Sequence, residues 1–512
     1  VARVGGRWRL FGSLALPAAV GPEVTARILL ERLVAAEPGL TGWIGLHPAR
    51  IDDLATVTVR SHPPGRLAVV AASERALAPL LAVAERSGWR ATGASPETAD
   101  PLAMTRLLLE PDVAAVLAGA GDPPGADERG ALDEVGIVVA AAAGRRPAMP
   151  VILAGAMADG LRHFGDVASR SGEVLLGPAV GGGGEGAPLH ELLTETALPD
   201  DDARRALGRA AGSLADVLDR RLEIFEIGHD AGTRIVATPG AGGDTAAVDL
   251  AVVPAAGLVP RDHDEATVDA VLGWATVPSD RHRMRDRLRE LRSAPWADPA
   301  GDGALIRAAA ARAAVGRLIA ATPDFDRRPA PDLVVAAGGA WSVHPAQAIP
   351  LAIADVVRRA GASQYALDHA RLLAPLGSIP DARERRDVIA DLVDELLVPL
   401  GSVVTPSGLH QGHGAGHLTI HIPSAARDVD LVPGGIEHID LAAGETAIAE
   451  FRFRDRVSLG TRGRHFAVDV AGGLGGLLVD LRDVPLRLPE RHERRREVLG
   501  AWQDLVWAGR DT

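Results

Sequence analysis

Residues Leu222 to Pro239 read LEIFEIGHDAGTRIVATP, and the way this stretch folds decides how the remainder is understood. Leu222, Ile224, Phe225 and Ile227 form a compact β-prone run. Gly228, Asp230 and Gly232 supply turn chemistry, and Thr233 to Ala237 turns apolar again. The pattern predicts a β-hairpin. A tight glycine-bearing turn can present backbone N–H groups to an anion without side-chain obstruction, and Glu226 or Asp230 beside it can hold a hydrated Mg²⁺. A Gly/Asp turn between two strands is more often only a turn, so the motif alone favours that plainer role.

A second stretch has related character. Asp332 to Ser342 (DLVVAAGGAWS) is a buried apolar strand running straight into Gly338 and Gly339, with a helix expected from near Pro345. Two glycines at a strand-to-helix turn let a flat group, such as an adenine or ribose, approach the backbone.

Before the hairpin, residues 66–177 alternate strand and helix. Strands are expected at Leu67–Ala71, Trp89–Thr92, Val113–Leu117 and Val151–Leu153, with helices at Ser73–Arg86, Thr98–Leu109 and Asp127–Ala143. Such spacing requires crossovers and hence a parallel α/β unit, whose ligand-facing edge lies at Ala72, Gly119–Pro124 and Gly155. GAGDPPGAD within that edge lacks G-x-G-x-x-G spacing, and its prolines remove donors, so it reads as a structural turn. Gly181 to Gly184 mark a linker. Upstream, Arg7–Leu16 and Thr56–Arg60 suggest strands, and Gly21–Ala36 an amphipathic helix.

Downstream of the hairpin come helices at Asp264–Gly273, Asp280–Arg292, Asp302–Ala321 and Glu384–Leu397. The arginines of Asp280–Arg292 form a solvated face opposite Met284, Leu288 and Leu291. Short β runs from Val403 to Leu481, separated by Gly, Pro and Asp turns, predict a sandwich or barrel. The last helix, Glu490–Trp507, is expected to dock on that β domain through Val498, Leu499, Trp502, Leu505 and Val506. His410, His413, His417 and His421 invite a zinc interpretation. With three of them in a Gly-rich loop and no acidic residue among them, they read as surface histidines.

Composition excludes several chemistries. The 512 residues contain no cysteine, so disulfides, thiolate metal sites and cysteine nucleophiles are excluded. Every one of the 54 basic residues is arginine, which removes a lysine P-loop and lysine Schiff-base chemistry. A net charge of -13 argues against sequence-independent nucleic-acid binding. No apolar run is long enough for a membrane span, and VARVGGRWRL is not a signal peptide, so a cytoplasmic location is expected. Val1 stands where Met is usual, which suggests an alternative start codon or a chain that continues upstream.

With both glycine turns in this order, the chain resembles the MutL (GlmL) family associated with glutamate mutase, of actinobacterial type. That family belongs to the actin, sugar kinase and Hsp70 superfamily of ATPases and is unrelated to the mismatch-repair protein of similar name. The resemblance rests on VLAGAGDPPGAD, PVILAGAMAD, EIGHDAGTRI, PDLVVAAGGAWS and VAGGLGGLLVDLRDVPLRLPERHERRREVLGAW. It implies an α/β fold with actin-like (ribonuclease H-like) lobes, an additional parallel α/β unit and a C-terminal antiparallel β domain. The expected divisions are a partial N-terminal actin-like segment at 1–62, the parallel unit at 63–180, a second actin-like lobe at 190–398 and the β domain at 399–512.

The resemblance further implies ATP or ADP with Mg²⁺, and a role as chaperone or reactivating factor of a coenzyme B12-dependent mutase. Glu226, Gly228, Asp230, Gly232 and Thr233 match the second phosphate motif, Asp-x-Gly-Gly-x-x-Thr-Asp, with Glu226 and Asp230 toward the metal. Gly338 and Gly339 match the adenosine motif. His229 replaces the motif's second glycine, and Thr233 its closing aspartate. The first phosphate motif, Asp-x-Gly-Ser, is not found before Arg7. Phosphoryl transfer depends on positioning and charge neutralisation, so these departures remove turnover before they remove nucleotide binding. The alternative is a catalytically inactive pseudo-ATPase scaffold for protein–protein contacts.

Overall fold

The computed structural model describes residues 1–14, 21–39, 57–121, 123–159, 173–180, 187–241, 244–261, 264–295, 300–410, 414–422 and 425–507. The expected Gly181–Gly184 linker and His413 lie outside them. At the start, β1 (Ala2–Val4) and β2 (Arg7–Arg9) form a separate antiparallel ribbon, shorter than the strand expected over Arg7–Leu16. The ribbon is fastened to helix Ala382–Leu396, where Asp391 and Glu395 accept hydrogen bonds from the Trp8 and Leu10 N–H groups. Within 57–60 the chain is not a strand; Arg60 makes an isolated bridge to Asp202.

The alternating region forms a five-stranded sheet from β3 (Arg66–Ala71), β4 (Arg90–Ala94), β5 (Val113–Gly119), β6 (Val151–Ala154) and β7 (Val174–Gly177). Its order is β4-β3-β5-β6-β7, and every pairing is parallel. Continuous apolar runs such as LAVVA suit strands buried on both faces. Ser73 caps the first helix by accepting from the Ala76 N–H. The unit extends past residue 180, because helix Ala187–Ala197 places Leu189 and Leu193, one turn apart, in the same core.

The rest is built on an eight-stranded mixed sheet. Its strands are β8 (Leu222–Ile227), β9 (Gly232–Thr238), β10 (Ala247–Val253), β11 (Leu333–Ala337), β12 (Gly361–Leu367) and β13 (Val398–Thr405), joined by two further strands from the C-terminal region. The expected hairpin is present as β8 and β9, paired from Leu222↔Ala237 to Ile227↔Gly232. β11 lies parallel to β8 on the other side, and β12 parallel to β11. Side chains alternate between two cores. Leu222 and Ile224 pack against the layer containing helix Ala203–Leu218, while Phe225 and Ile227 pack against the Ala-rich helix Gly301–Ala321.

The C-terminal β runs do not make a self-contained domain. β14 (Gly416–Ile422), β15 (Ala425–Leu431), β17 (Thr446–Leu459) and β18 (Thr461–Ala471) form a four-stranded antiparallel sheet. β13, β16 (Ile436–Ile439) and β19 (Leu477–Asp480) instead extend the central sheet, whose full order is β10-β9-β8-β11-β12-β13-β19-β16. Leu418, Ile420 and Phe451 of the smaller sheet close on Val404, Leu477 and Val479 of the larger, making one shared core.

Helix His492–Trp507 docks on the C-terminal β region only in part: it contacts β16, and beyond that region it contacts the Ala346–Ala348 turn and helix Glu265–Trp274. Val506 and Trp502 join the core that also holds Ile436, and the Trp502 ring lies 4.3 Å from the Arg482 guanidinium. Arg482 in turn pairs with Asp355 and Asp480, tying the C-terminal segment to the central layer. Among the described residues no helix is long and apolar enough to cross a membrane.

Candidate functional site

The two glycine turns meet. β8 and β11 are parallel neighbours, paired at Glu226↔Ala337, so their C-terminal ends open side by side. Gly338 has φ +94, and a Cβ there would come within 2.7 Å of the Ile227 carbonyl oxygen and 2.8 Å of Glu226 Oε1. Only glycine meets both the backbone and the space requirement. The helix expected from near Pro345 is present as a short turn, Ala346–Ala348, leading into Ile349–Ala354, and Gly338 itself opens a separate helical turn, Gly339–Ser342. It is anchored by the fully buried Trp341, whose Nε1–H donates to the Phe225 carbonyl at 3.1 Å.

The hairpin turn is equally supported. The Gly228 N–H donates to the Ala231 carbonyl at 3.0 Å, and the carbonyls of Gly228 and His229 accept from Leu258 and Val259. Both turns border one cavity of about 660 Å³, within the usual range for a small-molecule site. Glu226, Gly228, Asp230, Gly338 and Gly339 line it. Gly232 and Thr233 do not line it. Gly232 is where the hairpin touches the neighbouring turn, since a Cβ there would stand 2.6 Å from the Ala256 carbonyl oxygen. Thr233 acts through Glu226, its cross-strand partner, donating its hydroxyl to Oε2 at 2.7 Å.

The two carboxylates suggested from sequence as metal ligands both line the cavity, and each has a partner within the chain. Asp230 accepts from Arg292 Nη2 at 2.9 Å and lies 3.8 Å from Arg261 Nε, while Glu226 is held by Thr233. Among the described residues no group of three or more His, Asp or Glu side chains is arranged to hold a metal ion.

Arg204, Arg261, Arg307 and Arg371 also line the cavity, facing the carboxylates Glu226, Asp230 and Asp368. Arg204 is buried and clasps Asp202 through Nε at 2.9 Å and Nη2 at 2.8 Å, while also donating to the His62 carbonyl. Asp202 accepts from the His62 N–H at 3.3 Å, which pins the segment carrying Val59, His62 and Pro63 across the cavity mouth. Burial pushes the Glu226 carboxyl above the ordinary range, against the Thr233 hydrogen bond and the attraction of Arg204 and Arg371. Asp368, at the end of β12, is raised to about 6 by burial, although it accepts from the Leu372 and Leu373 N–H groups. Burial holds the His229 imidazole low and the Arg371 guanidinium below its usual value.

Sequence inspection missed Asp202, Arg204, Asp368 and Arg371. Asp368 follows a strand, GASQYAL, whose mixed polarity hides it, and Arg371 follows three residues later with φ +56. The available signal was an acidic residue closing an apolar run, YALD, in a position analogous to Glu226. Of the histidines expected at the surface, His417 and His421 lie on β14 with exposed side chains beside Asp430 and Glu450, and His410 stands exposed beside Asp455.

The C-terminal edge of the parallel unit lies at Ala72, Gly119 and Gly155. There Glu128 accepts from the Ser73 hydroxyl and from the Gly125 N–H at 2.8 Å, and a Cβ at Gly121 would stand 2.8 Å from its Oε2. No protein-family model matches the chain, and no curated protein matches it.

Proposed function

We propose that this chain is an actin-like, ATPase-family accessory protein that binds ADP or ATP with Mg²⁺ in the 660 Å³ cavity without appreciable turnover. By the resemblance described above, it would serve as chaperone or reactivating factor for a coenzyme B12-dependent mutase of the glutamate mutase kind. One observation carries the nucleotide assignment: two glycine turns more than a hundred residues apart are adjacent at the ends of neighbouring parallel strands and share one arginine-lined cavity. Supporting it, the first five strands of the central sheet lie in the order third, second, first, fourth, fifth, with the second reversed, as expected of a ribonuclease H-like lobe.

In this proposal the glycine turn at Gly338 and Gly339 admits the flat nucleoside, and the arginines neutralise the phosphates. Glu226 would be the carboxylate that holds the metal ion. Mg²⁺ supplies charge neutralisation when bound. The competing proposal, a pseudo-ATPase scaffold, is favoured by the engagement of Asp230 with Arg292 and of Glu226 with Thr233.

Calorimetric titration of the full chain with Mg-ADP and Mg-ATP, paired with a phosphate-release assay, separates them. Saturable binding with negligible release is expected; absence of binding to folded protein leaves the scaffold. Affinity capture from the native host, examined for a mutase subunit, tests the partner.

A further inference from the structure

The four-stranded sheet ends on β18, which pairs with β17 on one side and, among the described residues, with no strand on the other. From Arg452↔His465 to Thr446↔Ala471 the ladder is regular, so alternate β18 residues turn their N–H and C=O groups away from β17. Ala471 shows which ones. Its N–H donates to Ser402 Oγ at 2.9 Å and its carbonyl accepts from the Ser402 hydroxyl at 2.8 Å, so this serine takes the place that a next strand would fill. By the same alternation His465, Ala467 and Asp469 direct both groups at the open edge, and among the described residues no hydrogen bond reaches them there.

The core side of this edge is also incomplete. Phe466 and Val468 pack against the core shared by the two sheets but are only partly buried, and the Phe466 ring meets Phe453 edge-on at 6.1 Å. One more strand would cover both.

At the hairpin tip the charge is one-sided. Residues 452–465, RFRDRVSLGTRGRH, carry five arginines and one aspartate in a chain of net charge -13, and Asp455 faces His410 at 3.4 Å. Arg454, Arg456, Arg462 and Arg464 are exposed and form no ion pair among the described residues. Exposed charge on an edge strand ordinarily keeps it from pairing, and here it repels a second β18. On a strand that brings carboxylates it has the opposite effect. A nucleic acid fits less well, because the outer face of the same sheet carries Asp428, Asp430, Glu450 and Asp469, and phosphates cannot complete a backbone ladder.

We propose that the β18 edge is a docking site for an extended acidic segment of a partner protein. The segment adds to the small sheet as a further strand, with apolar residues over Phe466 and Val468 and carboxylates on Arg462 and Arg464. No residue of β18 lines the 660 Å³ cavity, so this surface is independent of nucleotide binding.

The test is fluorescence anisotropy on the full chain with a short fluorescein-labelled peptide that alternates Glu and Val. Saturable binding is expected, weakened at least about fivefold in the double variant Arg462→Glu with Arg464→Glu, whose positions are exposed. By NMR, the bound peptide should slow exchange of the His465, Ala467 and Asp469 amide protons. The same peptide N-methylated on the residues that would face β18 keeps every charge and side chain but cannot complete the ladder, and should not bind. No binding of the unmodified peptide, binding that survives N-methylation, or equal binding of an oligothymidylate overturns the proposal, the last two showing charge attraction without strand addition.

Discussion

Two places in this molecule look alike in sequence and differ in what they leave open. In the central sheet, β8 and β11 end in glycine turns around a cavity; in the parallel unit, β3 and β5 end at Ser73 and GAGDPPGAD around the Glu128 carboxylate. Both are C-terminal edges of parallel strands, where ligands of α/β sheets bind. The difference lies in what meets the turn's donors. Glu128 supplies two oxygens from within the chain, whereas at Gly338 the missing side chain keeps Glu226 and the Ile227 carbonyl at the cavity wall. Glycine count does not reveal a site; what matters is whether a side chain of the chain itself fills the turn, as Glu128 does and no side chain at Gly338 can.

The largest effect expected to break this contrast is at Gly338. Gly338→Val imposes an L side chain at φ +94 against Ile227 and Glu226, and should cost roughly 3 kcal/mol or more by urea denaturation while abolishing nucleotide binding. A variant that is stable and still binds would show that the turn is not what shapes the cavity. Next is Glu128→Ala, which removes the acceptor for Ser73 and Gly125 and should cost about 1–2 kcal/mol. It should also leave those donors to an anion, so that inorganic phosphate raises the melting temperature of the variant and not of the parent. No such gain would mean that something other than Glu128 keeps anions from this edge.

The pH dependence sharpens the same contrast. Burial raises Asp368 in the cavity to about 6, whereas the Ser73 hydroxyl, more than any other contact, holds Glu128 below its ordinary value. A carboxyl whose folded pKa exceeds its unfolded value costs stability as pH rises through the folded value; one whose folded pKa is depressed costs stability as pH falls through it. Asp368→Asn should therefore stabilise by roughly 1–2 kcal/mol near pH 8, after allowance for weaker acceptance from Leu372 and Leu373, and lose that gain near pH 4. Denaturation at the two pH values checks this, and equal effects at both would refute it. The smallest change is Asp230→Asn, where loss of the part-exposed Arg292 pair should cost under about 1 kcal/mol and leave the fold intact, as read by urea denaturation.

Much of this was legible along the chain because it is local. The period of two in LEIFEI, the Gly/Asp turn and the strand entering Gly338 each depend on a few neighbouring residues, and each is present. What could not be read depends on distant partners. Asp230 stands where a metal ligand is wanted, yet Arg292, from another helix, holds it. Arg234 interrupts an apolar strand and so suggests solvent, but it is fully buried, bound to Glu223, Asp326 and Thr322. β13 and β19 carry the same apolar signal as β14, and nothing within seven residues tells which sheet each will join.

The most direct measurement is hydrogen exchange of the full chain with and without Mg-ADP. Protection that rises together in residues 226–233 and 337–342, with residues 119–128 unchanged, is the predicted result. Protection absent from both turns, or found at 119–128 instead, would contradict the assignment of the nucleotide to the central-sheet cavity.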